Sequence, residues 1–320
     1  MASSPSDKQE FNRLFGVAAK SKSGQKSKPN SHNILEKLIN TLKATSLDED
    51  VVREKVKTGD MRRVDHSKSK CMMPIGDQGN CGACYAFTFT AYFSWLWCKL
   101  TDKLVPLSEQ YIIDCGPQSQ HSKYLLGCDG GTLYDTGLFF RDYGSELASN
   151  YPFVGCNGRC PYMLNPFQLA SKKTMGYIRW DQISARPVRY KNFGDQLERS
   201  PIIITMGASG SIPEYGGGVH DGSGCCRYKI DCSEHAALLV GYGHEDGEDY
   251  WLIRYSFSTT YGEDGHIRIS QKSDCIHPRK GLIYTPTKSD DFGKITAVMN
   301  IDRNSSIDAQ ISDTSRYRWV

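Results

Sequence analysis

The chain has no run of 18 consecutive apolar residues, so a membrane-spanning helix is not expected. Net charge is also scarce. Lys and Arg number 39 against 36 Asp and Glu, and the resulting +3 is too small to make nucleic acid or an acidic membrane surface the main partner. The first ten residues hold no apolar core of the secretory type. A metal site is poorly supported too, because Cys225, Cys226, Cys232 and His235 lie close in sequence without the paired spacing of zinc ligands. Cysteine itself is abundant. Twelve of them point to an oxidising compartment, although 320 residues suffice to bury a core without staples, in one large domain or two.

The most informative stretch is 77–98. Its polar, glycine-bearing start cannot be regular helix, whereas residues 85–100 lack Gly and Pro and are apolar or aromatic on nearly every face, which reads as a loop feeding a buried helix. Cys84 then falls at the helix N-terminus, where unpaired N–H groups and about half a positive charge favour a thiolate. It is the candidate nucleophile. Its own N–H and the amide of Gln78 are placed to donate to an oxyanion, as acyl transfer requires. The competing reading is a small buried cysteine in a core helix.

A nucleophilic thiol needs a base. His32, His121, His220, His244 and His277 lie in polar or Gly-rich stretches, and His66 and His266 read as packed or surface residues. His235 stands at the mouth of an apolar strand, with Ala236 and Ala237 behind it, 151 residues after Cys84. It is the candidate base, against the alternative of a capping or buried structural histidine.

The chain divides by composition. Residues 1–32 form a basic Ser/Lys-rich tail that cannot bury enough apolar surface to order itself. Residues 33–59 read as an amphipathic helical segment, with Ile34, Leu35, Leu38, Ile39 and Leu42 at helical spacing and a capping box from Ser46 to Glu49. That segment fits either an inhibitory propeptide lying across a cleft or a helix packed permanently on the domain. A main domain spans 60–288, helical at first and strand-rich after Pro152, with short strands expected at 202–205, 236–241, 250–254 and 266–269. A mostly polar extension fills 289–320, and either terminal segment could contact a partner.

Gln78, Cys81, Gly82, Cys84 and Tyr85 match the signature around the nucleophile of papain-like cysteine proteases. Val64 and Asp65, the run from Pro106 to Gln110, Asp114 with Cys115, the run from Gly127 to Gly131, and His235 with Ala236 continue the resemblance in order, so that it covers about residues 62–287. It implies an α+β fold of two lobes, a helical left lobe and an antiparallel β-barrel right lobe, with the active site in the cleft between them. It implies a cysteine-type peptidase acting on proteins or peptides through a Cys84–His235 thiolate–imidazolium pair, with Gln78 in the oxyanion hole and no metal or organic cofactor. Gly130, Gly131, Thr132, Ser233 and Glu234 match positions lining the substrate cleft. The paired glycines would let an extended peptide approach the backbone. Disulfides Cys81–Cys128 and Cys115–Cys160, and one from Cys275 to Cys225 or Cys226, follow from the same resemblance, whereas Cys71, Cys98, Cys156 and Cys232 receive no partner from it. The family is usually lysosomal or secreted.

One position departs from the pattern. The family places Asn before Ser-Trp-Gly to orient the imidazole, and here the run is Tyr255, Ser256, Phe257 and Ser258. Tyr255 is the candidate third member, since a phenol can hydrogen-bond an imidazole nitrogen. It is larger and reaches further than Asn, so reduced activity is expected. The alternative is an inactive homologue acting as a peptide-binding or structural protein.

Overall fold

The computed structural model of the chain describes residues 48–58, 62–161, 183–225, 234–277 and 280–286. The expected tail, the first part of the helical segment and the C-terminal extension lie outside the described residues, as do Cys226, Cys232 and Ser233.

The helical half is built around α2, Cys84–Thr101, whose residues from Tyr85 to Cys98 are all buried. A helix apolar all round has to be enclosed by other elements. Two of its neighbours are α3, Glu109–Cys115, and α4, Leu133–Tyr143. Each opens on a hydroxyl cap: Ser108 Oγ accepts from Tyr111 N–H at 2.9 Å, and Thr132 Oγ1 from Asp135 N–H at 3.1 Å. Aromatic rings fill the space between, with Phe93 stacked on Phe140 at 4.5 Å. At the far end α2 stops at Asp102, which adopts φ 60° and returns its N–H to Cys98 O. No helix among the described residues is long and apolar enough to cross a membrane.

The second half is a sheet. Strands β1 (Val64–Asp65), β2 (Ile183–Arg189), β3 (Ile202–Gly207), β4 (Val219–His220), β5 (Glu234–Glu245), β6 (Glu248–Arg254), β7 (His266–Ser270) and β8 (Lys280–Pro286) pair in the order β2-β8-β3-β5-β6-β7-β4, and β1 adds to β5. All pairings are antiparallel except β4 beside β7. The four strands expected from sequence are present, but the expected barrel is an open path here, with β2 and β4 at its ends. A register shift between Leu239 and Gly241 bends β5 where β1 joins it, and a Cβ on Gly241 would lie 2.1 Å from Val64 O. Glycine is what lets the two backbones meet.

Four disulfides lie among the described residues: Cys71–Cys98, Cys81–Cys128, Cys115–Cys160 and Cys225–Cys275. Cys225 thereby takes the place beside Cys275 that resemblance left open between it and Cys226, and it is withdrawn from any zinc set. Cys71–Cys98 has no counterpart in the sequence expectations.

The described end of the helical segment is α1, Glu49–Thr58. It sits by the last turn of α2, where Lys99 Nζ reaches Asp48 and Asp50 at 3.1 Å. Cys84 is about 22 Å away along that helix at 1.5 Å per residue. From the other half, Glu198 accepts from Lys55 Nζ at 2.5 Å and from Tyr242 Oη at 2.7 Å. Residues 48–58 therefore tie the two halves together at the end remote from Cys84, and this part of the segment does not lie across the nucleophile. Lys55→Ala should strip the buried partner of a part-buried pair and lower stability by about 2 kcal/mol, between the values for exposed and enclosed pairs. The urea midpoint of the variant measures this.

Candidate active site

Cys84 is the first residue of α2, and the helix has no side-chain cap at Ala83; the N–H groups of Cys84 and Tyr85 donate to the Cys84 thiol, and that of Ala86 returns to Ala83 O at 2.9 Å. The backbone before it is fixed on both sides. The Cys81–Cys128 disulfide and the Gly82 N–H bond to Cys128 O (2.8 Å) fasten it to the turn at 127–131. Gln78 N–H donates to Ser256 O at 2.9 Å, which joins it to the segment after β6. Close by, Arg254 donates to Met73 O at 2.7 Å and Pro74 O at 2.5 Å. These bonds form a seam between the halves, and the Cys84 thiol lies along it.

Cys84 Sγ accepts from the Ala236 N–H at 3.4 Å, which sets it against the start of β5, beside His235. The structure thus brings together the nucleophile and base read from sequence. Gln78 joins them: its Nε2 donates to Cys81 O at 2.9 Å and its Oε1 accepts from Ser256 Oγ at 2.5 Å, leaving one amide N–H uncommitted. Ser256 is the residue beside the candidate site whose contact sequence reasoning missed. Its neighbour Tyr255 drew attention as a departure from pattern, while the role of Ser256 depends on a partner 178 residues away.

Tyr255 does not sit as an Asn would. Its Oη donates to Met206 Sδ at 3.3 Å, and its ring lies flat against His235, centroids 4.4 Å apart and planes 19° from parallel. The expected phenol–imidazole hydrogen bond is replaced by stacking, because the longer side chain carries its hydroxyl past the imidazole. Phe257 lies 5.2 Å from the same ring, where its apolar ring can shield the imidazole from water. His235 Nε2 is buried and has no hydrogen-bond partner among the described residues.

These surroundings decide charge. Burial alone pushes the His235 imidazole down to about 4. Burial also raises the Cys84 thiol, and donation from the N–H groups of Ala236, Tyr85 and Cys84 itself only partly offsets it. Burial thus works against charge on each group taken alone, while the N–H groups donating to the sulfur, and the opposite charge each group presents to the other, work in favour of a thiolate–imidazolium pair. Burial raises the Tyr255 phenol as well, with nearby Tyr261 and Cys84 adding to the effect. Deeper in the seam, burial lifts Glu109 up to about 7 despite a 2.7 Å bond from Thr90 Oγ1.

The expected cleft residues have varied settings. Gly130 adopts φ +114°, and a Cβ on Gly131 would meet the Tyr85 ring at 2.7 Å. The two glycines are thus required by backbone conformation and packing before any substrate arrives. The Thr132 hydroxyl is engaged as the α4 cap. Glu234 is exposed at the start of β5, paired with Gly207. Ser233 lies outside the described residues.

A family model described as papain family cysteine protease matches residues 58–283. A cathepsin L-like proteinase of Fasciola hepatica is 30% identical over 210 residues, 65% of this chain and 60% of that protein. Digestive cysteine proteinase 1 of Homarus americanus is 31% identical over 210 residues, 65% and 61%. The chain thus spans about 60% of the length of these relatives. Among solved structures, the bromelain protease of Ananas comosus in complex with the E64 inhibitor superposes with a TM-score of 0.56 at 22% identity, covering 71% of this chain and 98% of that one. A cysteine protease of Carica candamarcensis in complex with E-64 gives 0.56 at 25%, covering 71% and 99%.

The buried imidazoles carry a pH dependence whose sign can be worked out. His235 and His266 both fall from 6.5 to about 4 on folding, chiefly through burial. Between those values the unfolded chain binds protons that the folded chain does not. Their contribution is complete above pH 6.5 and is lost as pH drops toward 4. Glu109 acts oppositely, its contribution being complete below 4.5 and lost as pH rises through about 7. The urea midpoint should fall on acidification from pH 6.5, and His235→Gln should flatten that fall.

Proposed function

The chain belongs to the papain family of cysteine proteases, and from that premise we propose that it hydrolyses peptide bonds in protein or peptide substrates, with Cys84 as nucleophile and His235 as base. The observation that carries this is the meeting of Cys84 Sγ, at an uncapped helix N-terminus, with the backbone beside His235. A peptide carbonyl arriving at Cys84 would displace water and present an electrophile. The thiol S–H proton passes to the imidazole as the sulfur electron pair closes on the carbonyl carbon. Oxyanion charge is received by the Cys84 N–H and the free Nε2 hydrogen of Gln78, whose amide Ser256 and Cys81 hold in place. Collapse to the thioester expels the amine, which takes its proton from His235. The imidazole then deprotonates a water that attacks the thioester and releases the acid.

Burial opposes charge on each group alone, so a charged pair is held by thiolate and imidazolium facing one another and by the N–H groups that donate to the sulfur. Gly130 and Gly131 would offer backbone to an extended substrate, and Glu234 would stand at the rim.

An epoxide inhibitor of the E-64 type, applied to the full chain, tests the assignment. Labelling should be confined to Cys84 and lost in Cys84→Ala, and His235→Ala should lower peptide turnover by at least about 10³-fold. A folded protein that neither labels nor turns over peptide would instead be a silent peptide-binding scaffold.

A further inference from the structure

His235 sits in a column of rings. Tyr255 lies on its face at 4.4 Å and 19°, and Tyr261 lies on the far face of Tyr255 at 5.0 Å and 24°. Phe257 stands edge-on beside the column, 5.3 Å from Tyr255 at 66° and 5.4 Å from Tyr261 at 89°. All three stacked residues are enclosed, with exposures of 5%, 2% and 8%. The column is pinned away from the imidazole. Tyr255 Oη donates to Met206 Sδ, Tyr261 Oη donates to Ile212 O at 2.7 Å, and the Tyr255 N–H donates to Gly265 O at 3.0 Å. None of these bonds reaches the base, whose Nε2 is left without a partner among the described residues.

We propose that Tyr255 and Tyr261 are positioning residues that hold the His235 imidazole by its face, in a stack of three rings, where a side-chain hydrogen bond would otherwise hold it by its edge. Stacked rings at this separation attract one another and resist tilting. The Tyr255 face is also electron-rich, so it favours the imidazolium that forms when the Cys84 S–H bond breaks and its proton bonds to the ring nitrogen. Tyr261 acts through Tyr255, closing its second face so that it cannot swing away. The titratable groups facing His235 are the Cys84 thiol and the Tyr255 phenol, with Tyr261 behind, and burial is the sole cause of its shift.

The inference rests on His235 acting as the base for Cys84, and its test requires no peptide turnover. Alkylation of Cys84 by iodoacetamide is followed by mass spectrometry across pH in the full chain carrying Cys156→Ser, because Cys156 is an exposed free thiol. Tyr255→Leu and Tyr261→Leu should each slow the neutral-pH rate about tenfold and move its acid limb to lower pH, since an imidazolium without the ring face is harder to form. Tyr255→Phe and Tyr261→Phe should each recover the rate to within about threefold of the parent. A Tyr255→Phe rate as slow as Tyr255→Leu would show that the hydroxyl does the positioning and overturn the proposal, as would Leu variants reacting at the parent rate. If the Leu variants do not fold, the His235 ring protons decide. They should be shifted upfield in the parent and in Tyr255→Phe, and ordinary shifts would overturn the stack. Protein that fails to cleave peptides yet shows these profiles would remove the peptidase reading and leave the positioning of His235 intact.

Discussion

The proposed nucleophile and base belong to different halves of the chain, and their meeting depends on the seam where the loop at 73–78 pairs with the segment at 254–258. The seam is made of backbone bonds and a buried arginine: Gln78 N–H to Ser256 O, Ser258 N–H to Gly76 O, and Arg254 to the carbonyls of Met73 and Pro74. Burying a guanidinium is expensive unless its donors are used. Here burial brings Arg254 down to about 10 while the Glu109 charge opposes that fall. The arginine precedes Tyr255 directly, so whatever fixes the seam also fixes the platform under His235.

The same seam sets the electrostatics. It encloses His235 and raises the Cys84 thiol, and it holds donors in place for charge that develops during reaction. The N–H of Cys84 and the spare hydrogen of Gln78 are such donors. Preorganised dipoles of this kind act most strongly when water is kept away, and Phe257 and Tyr255 help to exclude it.

Cys84, His235 and Gln78 were legible in sequence because each is marked by its immediate neighbours: a loop running into a gapless apolar helix, a histidine opening an apolar strand, and a glutamine at fixed distance from the thiol. The four core strands follow from equally local rules, whereas Thr132, read from resemblance as a cleft residue, is engaged as a helix cap. What was not legible depends on distance. The geometry of Tyr255 is decided by Met206 and Tyr261, the role of Ser256 by Gln78, and the Cys71–Cys98 bond by a meeting that no motif announces. The helix N-terminus beside Cys84 is visible in sequence, whereas the burial that opposes its effect on the thiol is not. Closure of the sheet into a barrel likewise depends on its two end strands, β2 and β4, finding one another, and their local patterns do not encode that.

The disulfides are unevenly shared. Of the four among the described residues, three lie in the half that carries Cys84 and one in the half that carries His235. One of the three begins three residues before the nucleophile. Cys84 has to stay reduced to act, while the Cys81–Cys128 bond that fixes the backbone just before it has to stay oxidised, so the sulfur and the scaffold that aims it place opposite demands on one redox environment.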